Sequence, residues 1–286
     1  MRKKNTSSPQ KSSAANSGKP SFGKPTQSKP KKFGGYQKKK VSSSVSEANK
    51  DSIRLNKYLA DGGICSRREA DELIKLGLVE VNGKIIKEMG YQVQKEDVVK
   101  YDGNQIFAEK PVYVVLNKPK GFITTTKDEK ARKTVMDLVQ NASPYRIYPV
   151  GRLDRQTTGV LLFTNDGHMA KKLTHPSHGV KKIYHVTLDK RISGETLMDI
   201  LNNGVHLEEG LAKVDQLSFI EGESNRSVGI EIHIGWNRVV RRIFKAKGFE
   251  VEKLDRVYFG GLTKKNLKRG QWKILTEQEI NFLKMV

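Results

Sequence analysis

Cysteine is almost missing from this chain of 286 residues; Cys65 stands alone. One thiol excludes an intrachain disulfide framework and a metal cage made only of cysteines, and it suits a reducing compartment, so a cytoplasmic protein is expected. Long apolar runs are missing as well. No segment reaches the ~18 uninterrupted apolar residues of a membrane span, so no membrane partner is expected. Residues 1–50 hold no apolar stretch that would serve as a secretory signal. There is no Gly-rich phosphate loop and no dinucleotide fingerprint. Acids are scarce: 31 Asp and Glu face 53 Lys and Arg, a net charge of +22. Apolar content is 36%, low for a chain folded throughout.

The positive charge is spread in two places. Residues 1–50 hold 13 Lys and Arg against one acid, Glu47, and the remaining residues hold 40 against 30. Both parts therefore favour a polyanionic partner, of which nucleic acid is the commonest. Ser, Lys, Gly and Pro dominate residues 1–50, and only Phe22, Phe33, Tyr36, Val41 and Val45 could seed a core. Such a segment cannot bury enough to offset its ordering entropy, so a disordered basic arm is expected. It either holds a phosphate backbone loosely and salt-dependently or serves only as a solubilising tail.

From Ser52 the pattern changes. Ser52 is a plausible N-cap for a helix from Ile53 to about Ala60. Ser66-Arg67-Arg68-Glu69 has the spacing of a capping box, in which serine and glutamate satisfy each other's orphan amides. Ala70, Leu73 and Ile74 share one helical face, and Gly77 is the expected stop. Val79 to Ile86 alternates about Asn82-Gly83, a hairpin signal, and Val98 to Tyr101 reads as a strand closed by Asp102-Gly103. Cys65 beside a helix start is read as a small packing residue. Beyond Val112, strands are expected at Val112–Leu116, Val160–Thr164, Ile183–Leu188 and Ser227–Ile234, with an extended segment at Phe122–Thr126. Helices are expected at Thr134–Gln140 and from His168 to before Pro176. Without regular βαβ spacing, this is an α+β pattern with a mixed, largely antiparallel sheet.

Two stretches carry chemistry. Gly151-Arg152-Leu153-Asp154-Arg155-Gln156-Thr157-Thr158-Gly159 sets one carboxylate between two arginines in a Gly-bounded loop feeding an apolar strand. Nearby positive charge favours a carboxylate in its ionised form, and in so basic a chain such an acid points to work on a bound polyanion. A surface salt-bridge loop is the bland alternative. Asn237 to Lys245, read as a helix capped by Asn237, puts Arg238, Arg241, Arg242 and Lys245 on one stripe and Val239, Val240, Ile243 and Phe244 on the other. The crowded cations repel, by a few tenths of a kcal/mol per pair, and a phosphodiester or Asp154 would relieve them; an ordinary amphipathic surface helix is the alternative. Tyr184 on a strand would ordinarily be core. His175 and His178, interrupted by Pro176, form too loose a pair for a metal motif, so no metal is expected.

These motifs resemble known families. Arg54 to Leu59, Ser66 to Ala70 and Val81-Asn82-Gly83 are similar to the small RNA-binding domain first described in ribosomal protein S-four. That resemblance implies RNA contact by Arg54, Lys57, Arg67, Arg68 and Lys75; a solvated basic face is the alternative. Leu116-Asn117-Lys118-Pro119-Lys120-Gly121, the Asp154 loop, Lys182-Ile183-Tyr184, Asn237 to Arg242 and Leu254-Asp255-Arg256-Val257 fall in the order seen in the RsuA/RluB-type bacterial ribosomal RNA pseudouridine synthases. The resemblance implies a small α/β RNA-binding domain at 51–111 and a pseudouridine-synthase-like catalytic domain at 112–286, after the arm at 1–50. It implies isomerisation of one uridine in ribosomal RNA or a ribosomal subunit precursor, large-subunit RNA favoured, by extruding the base from its stack. No cofactor is implied, since one substrate becomes one product, and a monomer is expected.

Asp154 would be the essential carboxylate, as nucleophile or base. Arg241 would pair with it, and Tyr184 would stack on the base. Lys118, Arg152, Arg155, Arg238 and Arg242 would handle phosphates and loop geometry. The chain departs from the family where relatives often have Glu-Gly-Arg-Asn-Arg-Gln and it has Ile234-Gly235-Trp236-Asn237-Arg238-Val239. A ribosome-assembly factor that has lost catalysis is the competing class, and the intact Asp154, Tyr184 and Arg241 set argues against it. An RNA methyltransferase would need a Gly-rich cofactor turn, which is lacking.

Overall fold

The computed structural model describes residues 52–286. The basic arm expected over residues 1–50 lies outside them. The first described element is a strand, not a helix. Ile53–Arg54 (β1) pairs antiparallel with Gln92–Val93 (β4), and helix α1, Leu55–Asp61, begins only after it. The Ser52 cap is therefore not made. Arg54 holds the cap position without a side-chain bond, and the Ser52 hydroxyl donates to Gln92 at 3.4 Å. Strand pairing has taken the two residues that the longer helix would have used.

The capping box does form. Glu69 N donates to Ser66 Oγ at 3.3 Å and Ser66 N donates to Glu69 at 2.8 Å, opening helix α2, Arg67–Lys75. Strands β2 (Val79–Val81) and β3 (Lys84–Ile85) make the expected hairpin, with Asn82 at φ 53° and Gly83 at φ 76°. Two positive φ values are what a type I′ turn demands. Strands β5 (Val99–Tyr101) and β6 (Asn104–Gln105) complete this sheet in the order β3-β2-β5-β6. Leu55, Leu59, Ala70, Ile74, Val79, Val93 and Val99 form a core of its own. Cys65 packs against that core, and burial, followed by Glu69, pushes its thiol up.

The remaining elements surround a nine-stranded sheet with path β13-β14-β10-β15-β9-β7-β17. Its strands are β7 (Tyr113–Lys118), β8 (Tyr148–Pro149), β9 (Thr158–Thr164), β10 (Lys182–Leu188), β13 (Gln216–Phe219), β14 (Ser227–Ile232), β15 (Val251–Phe259), β16 (Leu262–Thr263) and β17 (Trp272–Ile274). A separate hairpin joins β11 (Val205–Leu207) to β12 (Gly210–Ala212). Every pairing is antiparallel except β9 with β15, so the sheet is mixed and largely antiparallel. Helices α3 (Met136–Val139), α5 (Gly194–Asn203) and α6 (Val239–Ala246) contribute to the larger core, while α4 (Gly167–Thr174) and α7 (Glu277–Met285) contribute to a second core. Strand β7 feeds both: Val114 and Leu116 enter the first, Tyr113 and Val115 the second. A strand covered on two faces reads as a continuous apolar run.

Several boundaries moved. Phe122–Thr126 is irregular, tied only by a bridge from Ile123 to Thr134, and the helix expected at Thr134–Gln140 shortens to α3. Strand β14 stops at Ile232. Asn237 does not cap α6. Arg238 occupies that position at φ 48°, with no side-chain cap bond. A left-handed arginine costs on the order of 1–3 kcal/mol and is retained when its surroundings demand it. Gly159 has a stricter reason for being glycine, because a Cβ there would lie 2.1 Å from the Arg256 carbonyl of the parallel neighbour β15.

Candidate active site

Asp154 lies in the loop from β8 to β9, on the wall of an open cleft of about 460 Å³. That volume is within the roughly 300–1,000 Å³ of small-ligand sites. The loop is fixed through its backbone. Thr124 Oγ1 donates to the Leu153 carbonyl at 2.7 Å and accepts from Leu153 N at 3.2 Å. Gly121 N donates to the Arg155 carbonyl at 2.9 Å, and Arg155 Nε donates back to the Gly121 carbonyl at 3.3 Å.

Lys118 completes the clamp, and here the structure corrects the expectation that it meets RNA. Its side chain is fully buried, and Nζ donates to the carbonyls of Thr157 at 2.9 Å and of Pro119 and Asp154 at 3.1 Å. No phosphate can reach it. Burial lowers Lys118 to about 8, with Asp154 opposing that shift. The loop-geometry role remains.

Helix α6 brings the arginines. Val239, Val240, Ile243 and Phe244 are buried as the periodicity required, each contributing about 1.5–3 kcal/mol and fixing the opposite face toward the loop. Arg241 Nε stands 4.0 Å and Arg238 Nε 3.9 Å from Asp154 Oδ2. Arg241 is anchored by Nη1 donating to the Val251 carbonyl at 2.6 Å, while its buried Nη2 has no hydrogen-bond partner among the described residues. Burial holds Arg241 below its usual value, with Asp154 opposing and Arg238 adding to the shift. The cationic stripe is not continuous. Arg242 pairs with Glu209 in the β11–β12 turn at 2.6 Å and does not line the cleft.

Tyr184, on β10, is nearly buried and lines the cleft with Lys182 and Arg256. Arg152 and Arg155 line it from the exposed side of the loop. Lys182, Trp236 and Arg256 on β15 line the cleft as well, and the motifs that contain them imply no role for them. A charged residue at an inward position of an alternating strand was the available signal for Arg256. Arg256 Nε donates to the Val160 carbonyl at 2.8 Å, its guanidinium stacks 4.5 Å from the Phe259 ring centre, and its Nη2 has no hydrogen-bond partner among the described residues.

None of the RNA-contact candidates between Arg54 and Lys75 lines this cleft. Arg54, Arg67 and Arg68 are exposed. Lys57 bonds Asp61 on its own helix, and Lys75 bonds Glu72 at 2.9 Å. Such pairs near the surface are weak and exchange readily for a phosphate. Arg67 donates to Asn56 at 3.3 Å, linking α2 to α1. His175 bonds Ser177 at 2.7 Å, and no helix among the described residues is long and apolar enough to cross a membrane.

Comparison with known proteins bears on this geometry. The RNA pseudouridylate synthase family model matches residues 112–246, and the S4 domain model matches residues 53–99. Ribosomal large subunit pseudouridine synthase B of Bacillus subtilis (strain 168) is 43% identical over 234 residues, 81% of this chain and 95% of the relative. The dual-specificity RNA pseudouridine synthase RluF of Escherichia coli (strain K12) is 37% identical over 232 residues, 80% of this chain and 77% of that protein. A crystal structure of a pseudouridylate synthase aligns with a TM-score of 0.57 at 28% identity, covering 81% of this chain and 100% of its own.

Proposed function

The chain belongs to the RNA pseudouridine synthases, which isomerise uridine to pseudouridine, and we propose that its substrate is one uridine of large-subunit ribosomal RNA, free or in a subunit precursor. The similarity to the Bacillus subtilis enzyme supports that choice. The protein acts as a cytoplasmic monomer and needs no cofactor. The reaction moves atoms within one nucleotide: the C1′–N1 bond breaks, the base turns, C5 bonds to C1′, and the C5 proton is exchanged for one on N1.

The observation that carries the assignment to this cleft is the state of Asp154. Its carboxylate has two guanidinium groups at about contact distance but accepts no hydrogen bond among the described residues, and it is 38% exposed on the cleft wall. A structural acid would be saturated. Asp154 is the essential carboxylate that opens the glycosidic bond, as nucleophile or base, and Arg241 orients it. Tyr184 meets the extruded base. Extrusion costs a few kcal/mol, and phosphate contacts by Arg152, Arg155 and Arg238, together with Arg54, Arg67, Arg68, Lys57 and Lys75 on the S4 unit, offset it.

The test maps pseudouridine in total RNA from a strain lacking the gene. One large-subunit position should revert to uridine, return with the wild-type gene, and stay unmodified with Asp154→Asn. An unchanged map, or rescue by Asp154→Asn, overturns the assignment and favours an RNA-binding assembly role.

A further inference from the structure

The wall of the cleft that carries Tyr184 also holds two cations, Lys182 and Arg256. Lys182 and Tyr184 are two residues apart on β10, so their side chains share a face. Arg256 is paired directly beside Tyr184 on β15. All three line the cleft. Arg256 is only 3% exposed, and its Nη2 is buried without a hydrogen-bond partner among the described residues. Lys182 Nζ donates one bond, to the His233 carbonyl at 2.5 Å, which leaves two of its three donors. Two like charges in one small volume are repulsive, and desolvation makes each more costly. Val160 and Phe259 hold Arg256 in place, Tyr184 lies against it and Asp215 partly offsets the charge of Lys182, but neither cation makes an ion pair with a carboxylate among the described residues.

Resting on the function proposed above, we infer that Lys182 and Arg256 hold the detached base, stabilising the negative charge it carries between its two bonds to ribose. The charge follows from the bond changes. When C1′–N1 breaks, the electron pair remains on N1 and spreads through the ring to O2 and O4, while Asp154, on the other wall, faces the electron-poor C1′. The pair then returns to C1′ through C5. The C5 proton leaves and N1 is protonated, so the ring ends neutral. The charge exists only between those events. Preorganised donors in a partly dry site stabilise charge of that kind without reorganising at the moment of reaction. Lys182 and Arg256 supply donors of the required sign beside the aromatic ring that meets the base.

Lys182 also gives the inference a distinct readout. Burial lowers it to about 8, with Arg256 adding to the shift and Asp215 opposing it. The charged groups around it are Arg256 on β15, Asp215 with its partner His233 beyond β14, and Asp154 and Arg238 across the cleft. A lysine with a depressed value is protonated below about pH 8 and neutral above, so its contribution is present below that pH and lost above it.

The experiment measures single-turnover pseudouridine formation at saturating ribosomal RNA from pH 6 to 10, with RNA affinity followed in parallel. Wild type should lose rate above about pH 8. Lys182→Met should be slower by about 10²-fold at pH 7, the usual loss of one such donor, with RNA affinity nearly unchanged. Lys182→Arg should recover most of the rate and lose the alkaline fall, because a guanidinium stays charged. Arg256→Lys, which keeps a cation in the buried site, should be faster than Arg256→Met. If wild type is active and Lys182→Met matches it, or Lys182→Arg keeps the alkaline fall, the inference is overturned while the functional assignment stands. If wild type is inactive on every ribosomal RNA tested, the functional assignment fails first.

Discussion

Two aspartates on neighbouring strands and loops of this domain live under opposite regimes. Asp255 in β15 points away from the cleft, one residue before Arg256. Arg269 grips it with two bonds of 3.0 and 2.8 Å, Thr158 donates at 2.9 Å, and Lys264 closes on the same carboxylate. Burial pushes its carboxyl up, but Arg269 and Lys264 outweigh that and leave it below the ordinary range. Asp154 also has two cations, yet at 3.9 and 4.0 Å, with no hydrogen bond to either oxygen among the described residues. Both acids are surrounded by positive charge, but only one is spent on it. Asp255, which holds strands together, is saturated, whereas Asp154 is attended and left open, as its proposed role requires. The scaffold makes the difference: Arg241 is restrained by the Val251 carbonyl and Arg238 by a left-handed backbone, so neither closes on Asp154.

That contrast predicts a separation of effects. Asp154→Asn should lower turnover by more than about 10³-fold, within the range lost with a proton-transfer group or nucleophile. Melting temperature should stay almost unchanged, because no hydrogen bond is removed. Lys118→Met should move both quantities, since the carbonyls of Thr157, Asp154 and Pro119 lose their donor and the Asp154 loop loses its anchor. A loss of about 3 kcal/mol in denaturant unfolding, with a large fall in turnover, is expected. A Lys118→Met protein with normal activity would break the link between the clamp and Asp154.

Asp255→Asn should show the reverse of Asp154→Asn. Its bonds to charged partners are worth about 1.5–3 kcal/mol, visible as a lower unfolding midpoint, with turnover preserved below the melting transition. The pH dependence follows from its depressed value. The stabilisation is present above the unfolded carboxyl value of about 3.9 and is lost as pH falls through the lower folded value. The wild-type advantage over Asp255→Asn should therefore shrink in acid, and an advantage unchanged at pH 3 would contradict this reading. Smallest of all, Arg67→Ala with Arg68→Ala should touch neither axis. RNA affinity should fall a few-fold, and the slope of log affinity against log salt should drop by about one per contact removed. An unchanged slope would remove these arginines from the interface.

What could be read from residues alone follows the range of the interactions. The capping box at Ser66 and Glu69, the Asn82-Gly83 turn and the buried stripe of α6 are local, and each formed as its spacing required. The carboxylate loop was legible as well, because the run from Gly151 to Gly159 feeds the apolar strand β9, as its pattern implied. What stayed hidden depends on partners far along the chain. Lys118 reads as a loop cation beside Pro119 and Gly121, and its burial follows only from carbonyls lying 36 and 39 residues further on. Arg242 reads as part of a free stripe until Glu209 arrives from a hairpin 33 residues earlier. The Ser52 cap fails because β4, 40 residues away, captures Ile53 and Arg54 as a strand. Arg256 sits in a segment quoted as a motif, but its unpartnered Nη2 at the cleft becomes visible only once β15 is aligned beside β10.

The most direct test follows the C5 hydrogen of the target uridine. Ribosomal RNA carrying tritium at uridine C5 is bound by excess enzyme, and tritium released to solvent is counted over a single turnover. Wild type should release one equivalent per target, while Asp154→Asn should bind the same RNA with unchanged affinity and release none. Release by Asp154→Asn at the wild-type rate would contradict the claim that this open carboxylate starts the reaction.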